Sequence, residues 1–78
     1  MDRESLIREI DETIRALEEK KNFAENLENL CSEAISVFAV LRAKALRARS
    51  EDEVREIEKK YVNEYLFYSS KLAKLLHI

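Results

Sequence analysis

The residues of this 78-residue sequence best suited to metal or nucleophilic chemistry are Cys31 and His77, the single cysteine and the single histidine. Coordination of a metal usually needs several His, Cys or carboxylate ligands grouped at helical spacing, and these two lie far apart in the chain. Cys31 falls in an apolar stripe and reads as a small buried thiol. His77, one residue from the end, reads as a group that relieves the negative end of the last helix. With no glycine there is no Gly-rich phosphate cradle, and no serine stands in a nucleophile-elbow context. Acidic pairs such as Asp11-Glu12 and Glu18-Glu19 lack the inward Glu-x-x-His pattern of di-metal helical bundles and read as solvated surface. The expectation is a non-enzymatic chain with no catalytic, cofactor-binding or metal-binding residues.

Two groups remain that could bind rather than react. Tyr61, Tyr65 and Tyr68 share one helical face, where they could stack on a ligand but more simply serve as core, each buried hydroxyl then needing a hydrogen-bond partner. The block from Arg42 to Arg49 carries Arg42, Lys44, Arg47 and Arg49 and no acid, and is the candidate for an anion or nucleic-acid contact. On a helix, however, Arg42 and Arg49 project to one side and Lys44 and Arg47 to the other, so they straddle the apolar stripe and read first as partners for nearby acids.

The elements that position these residues follow from periodicity. Ile7, Ile10, Ile14 and Leu17, with Leu6 beside them, make an amphipathic stripe that predicts helix 1 over about 3–20. A second stripe, from Phe23 through Leu27, Leu30, Ala34, Val37 and Phe38 to Leu41, is rotated from the first by roughly 130° and requires a break near residue 21. Asn22 with Glu25 reads as a capping box there, which places helix 2 over about 23–48. Ser50 and Glu53 form a stronger one, with the acidic turn Glu51-Asp52-Glu53 behind it. Helix 3 follows over about 51–77, with Val54, Ile57, Tyr61, Tyr65, Tyr68, Leu72 and Leu75 on one side and Val62, Leu66 and Leu76 flanking.

Composition agrees with an all-α chain. Glycine and proline are both absent, which disfavours hairpins and sandwiches, and 46% of residues are apolar against 38% charged. The formal net charge of −2 is unlike that of a protein that coats nucleic acid. Acids dominate residues 1–33, with 10 against 5 bases, while the middle block is purely basic. The longest apolar run, Ala34 to Leu41, is far shorter than the roughly 20 residues that cross a bilayer, and a lone cysteine with no leader-like start points to a cytoplasmic protein.

Three helices with short turns predict a single-domain antiparallel bundle over 1–78. Helix 1 is the shortest, so Leu41, Ala45, Leu46, Ala48, Val54 and Ile57 are expected to lack part of their cover. Ser36, Ala39, Val40 and Ala43 make the far side of helix 2 small or apolar as well. Together these features predict a homodimer through helix 2, with Ser36, Ala39, Val40, Ala43, Leu46 and Phe67 at the interface, or docking of a protein partner. The alternative from another class is a small nucleic-acid-associated regulator using the basic end of helix 2.

The run Leu6-Ile-Arg-Glu-Ile-Asp-Glu-Thr-Ile14 resembles the opening helix of the all-α chorismate mutases, which are domain-swapped helical dimers. That resemblance implies an enzyme with an inward arginine in a Leu-Arg-x-x-Ile-Asp pattern. Aligning Ile10-Asp11 places Ile7 at the arginine position and turns Arg8 about 100° away. The likeness covers nine residues and misses the substrate-binding position, so the chain is not assigned to that family.

Overall fold

The computed structural model describes residues 1–76 and contains three helices, α1 (Arg3–Lys21), α2 (Glu25–Arg47) and α3 (Glu51–Leu76), packed as an up-down-up bundle. His77, and with it the end of helix 3 expected at 77, lies outside the described residues. The molecule is elongated, 42 × 18 × 16 Å, because at about 1.5 Å per residue α3 alone is close to 40 Å long.

Each helix start has its own chemistry. Asp2 caps α1, accepting the Ser5 N–H at 2.8 Å, and that bond holds the Asp2 carboxyl below its usual range. At α3 the Ser50 hydroxyl accepts the Glu53 N–H at 3.1 Å, and the Glu53 carboxylate reaches back to the Arg49 N–H at 3.0 Å, a capping box displaced by one residue. The break between α1 and α2 differs from expectation. Asn22 ends α1, its N–H bonding to the Lys20 carbonyl, and the N-cap of α2 is Ala24. Reversing the chain while swinging the buried face by more than a right angle takes three non-helical residues, Asn22 to Ala24. Phe23 therefore stands at the tip of the turn, 83% exposed, instead of opening the α2 stripe.

Ala24 has the extended backbone of an N-cap (φ −155°, ψ 142°) but no side-chain oxygen to satisfy the first amides of α2. Ala24→Ser is accordingly expected to stabilise the fold by about 0.5–1 kcal/mol. Urea denaturation is the check; an unchanged midpoint would mean that lost packing of this half-buried alanine cancels the cap.

The core is one continuous cluster. Leu6, Ile10 and Leu17 of α1 meet Leu27, Cys31, Ala34, Phe38, Leu41 and Ala45 of α2, with Val54, Ile57, Tyr61, Tyr68 and Leu72 from α3. Small residues at Cys31, Ala34 and Ala45 are fully enclosed, which lets α1 lie close along α2. The expected shortage of cover at the far end of α2 is overturned for most of its residues: Leu41, Ala45, Ala48, Val54 and Ile57 are all buried, and only Leu46 stays half exposed. Two causes combine. Helix α1 runs one residue longer than expected and α2 is three residues shorter, at 23 residues, so their lengths nearly match. Arg3 then spans the remaining gap, its guanidinium donating to the Ala48 carbonyl, and the Met1 amino group reaches Glu58 at 3.3 Å.

Candidate functional site

Among the described residues, most of the exposed apolar surface away from the Phe23 turn lies on two faces. The first is a groove between α1 and α3. These helices both pack on α2 but barely on one another; Tyr61 ties them, its hydroxyl 2.8 Å from the Thr13 hydroxyl and donating to the Glu9 carbonyl at 3.4 Å. Above and beside that tie the helices part, leaving an open groove of about 570 Å³. Its α1 wall is Glu9, Glu12, Thr13, Ala16 and Lys20, its α3 wall Val62, Tyr65, Leu66 and Ser69, and buried Leu17, Phe38 and Leu72 lie beneath. Val62, Tyr65 and Leu66 are 45%, 46% and 62% exposed.

Tyr65 thus departs from the tyrosine row expected in the core, whereas Tyr61 and Tyr68 enter it. The reason is angular. Tyr65 sits at the edge of the α3 stripe that an abutting α1 would have covered, and α3 leans on α2 instead. The hydroxyls of the two buried tyrosines are satisfied, Tyr68 donating to Glu33 at 3.0 Å. Phe38 packs edge-on against both rings, with centroids at 5.6 and 6.2 Å.

The second face is the outer side of α2. Ser36 and Ala39 are exposed, Ala43 is half-buried, and Val40 and Leu46 expose about half their surface. Ser36 turns its hydroxyl back to the Ser32 carbonyl. Phe67, on α3, is half covered by its own neighbours: Tyr68 meets it edge-on at 5.1 Å and the Lys71 ammonium sits 4.5 Å above the ring.

The four cations at the end of α2 are not brought together. Arg42 pairs with Asp11 of α1 at 2.6 Å. Lys44 and Arg47 border a shallow hollow shared with Asp52, Glu53 and Glu56. Arg49 stands with Arg3 and Arg55 among Asp2, Glu4 and Glu51 at the end of the bundle. Arg42 is thus paired and the other three share hollows with carboxylates, which lowers the field offered to a polyanion.

Cys31 is fully enclosed, and burial pushes its thiol up, away from the reactive thiolate. Among the described residues no cluster of His, Cys, Asp or Glu is placed to hold a metal ion, and no helix is long and apolar enough to cross a membrane. Arg8 is exposed on α1 and no arginine lines the groove.

The fold and its surfaces define a three-helix bundle with apolar faces left open. The chain matches no family model, and no curated protein or solved structure is significantly similar to it.

The α2 face is legible in the pattern of helix 2, whereas the groove between α1 and α3 was not expected. A signal was present: the apolar arc of α3, from Ile57 and Tyr68 round to Val62 and Leu66, is close to 180° wide, more than one neighbouring helix covers.

Proposed function

We propose that this chain is a non-enzymatic helical interaction module that acts by packing a further helix on its exposed apolar faces, as a homodimer or on a protein partner. The observation that carries this reading is the half-exposed cluster Val62, Tyr65 and Leu66 along an open groove, beside a core that is otherwise closed. Contiguous apolar surface of this kind is a property of interfaces more than of inert surfaces. The outer face of α2, with Val40 and Leu46, is a second candidate, flatter and with smaller side chains. The groove supports docking better because it is concave and holds larger side chains. Pairing of Arg42 with Asp11, and the acids beside Lys44, Arg47 and Arg49, favour this reading over nucleic-acid binding.

Mass action tests it. If the folded chain self-associates, its thermal midpoint rises with protein concentration between about 1 and 100 µM, since association stabilises the folded form. A sharp transition whose midpoint is the same across that range would refute the homodimer.

A further inference from the structure

We infer that the second copy docks through α3: two chains pack their α3 helices antiparallel, along the face Val62, Tyr65, Leu66, Ser69, Ala73 and Leu76, about a two-fold axis close to Ser69. This rests on the interaction-module reading and assigns its occupant and register.

The six positions fall within an arc of about 100° and run some four turns, and no charged residue lies among them. Self-contact along this face therefore buries no like-charge pair, which a two-fold axis would otherwise impose at every position near it. Residue sizes along the face suit an antiparallel copy. Bulk is concentrated at the two ends, in Val62, Tyr65 and Leu66 on one side and Leu76 on the other, with Ser69 and Ala73 between. Reversal of one helix about Ser69 sets Tyr65 against the small stretch formed by the partner's Ser69 and the partner's Ala73, and brings Val62 to the partner's Leu76. A parallel pairing would instead stack large on large and small on small. Opposed helix dipoles favour the same direction.

The area is adequate. Val62, Tyr65, Leu66 and Leu76 each expose about half their surface, on the order of 400 Å² together at about 200 Å² per large side chain. A standard interface buries about 800 Å² per partner, a little over half of it apolar. On the α1 wall of the groove Thr13 and Ala16 offer further small surface to the incoming helix, beside the exposed charges of Glu9, Glu12 and Lys20.

Sedimentation equilibrium of the full chain, with circular dichroism to follow folding, tests this. The unsubstituted chain is expected to be dimeric at tens of micromolar. Leu66→Glu is expected to raise the dimer dissociation constant at least about thirty-fold while leaving helix content unchanged, because Leu66 is 62% exposed in the single chain. Val40→Glu, on the outer face of α2, is expected to leave the dimer intact. Ser69→Cys, close to the axis, is expected to give a disulfide-linked dimer under mild oxidation, whereas Arg15→Cys, on exposed α1 surface, is not. A folded monomer throughout would overturn both this inference and the homodimer reading. A dimer that Val40→Glu dissociates and Leu66→Glu does not would overturn the inference alone, and place the interface on α2.

Discussion

Phe38→Ala is expected to cost about 3–5 kcal/mol, enough to leave the chain barely folded at room temperature. Phe38 is 1% exposed at mid-bundle and touches both buried tyrosines edge-on, so its removal opens a cavity and breaks two aromatic contacts together. A chain of 78 residues has roughly 4–12 kcal/mol in total, at about 0.05–0.15 kcal/mol per residue. The loss is thus a large part of the whole. Urea denaturation followed by circular dichroism measures it, with Phe23→Ala as the control: the same deletion at an 83% exposed turn tip should change stability by no more than about 0.5 kcal/mol. A cost below about 1.5 kcal/mol for Phe38→Ala would mean that α3 does not pack on α2 through this ring.

The contrast between those two phenylalanines marks how far the sequence can be read. Both stand in the apolar stripe by periodicity, and the stripe is right for Phe38, as it is for Leu6, Ile10, Leu27 and Leu41, because a 3.6-residue repeat records which side of a helix faces its neighbour. Periodicity does not record where the helix begins. Asn22 with Glu25 satisfies the capping pattern, yet the chain needs two more residues to turn, and Ala24 takes a cap position that its side chain cannot serve. The Ser50 boundary was legible because the hydroxyl, the carboxylate and the acidic turn all point to the same break. At the far end of α2 the misreading was one of reach. Counting 1.5 Å per residue leaves out side chains, and Arg3 covers with its guanidinium what the α1 backbone does not. The open groove was only partly legible: the wide apolar arc of α3 says that some of it stays uncovered, but not which part. Tyr65 lies at the edge of the row it shares with Tyr61 and Tyr68, and what leaves that edge open is the lean of α3 toward α2, a tertiary fact no single helix encodes.

Stability is expected to fall steeply above pH 10, and Tyr68 is the group that reports it. Burial in the core pushes its phenol up to about 12, helped by the hydrogen bond it donates to Glu33 and by the negative charges of Glu33 and Glu64. Tyr61 is raised as well, chiefly by burial, with the Thr13 contact acting against it and Glu9 adding to it. In the unfolded chain a tyrosine loses its proton near pH 10. Between that value and about 12 the folded chain therefore holds a Tyr68 proton that the unfolded chain has released. Folding takes up a proton in this window, so the contribution is fully present below pH 10 and is lost as pH rises toward 12, at up to about 1.4 kcal/mol per pH unit. The difference between two chains isolates what Tyr68 contributes. Tyr68→Phe keeps the ring in place and releases Glu33 to water, since Glu33 is exposed. It should cost about 1 kcal/mol at pH 7 and lose stability less steeply than the unsubstituted chain above pH 10. Urea midpoints at pH 8, 10 and 11 for both chains decide the matter. Parallel curves would place the Tyr68 hydroxyl in water and remove the hydrogen bond by which Glu33 on α2 meets the α3 core.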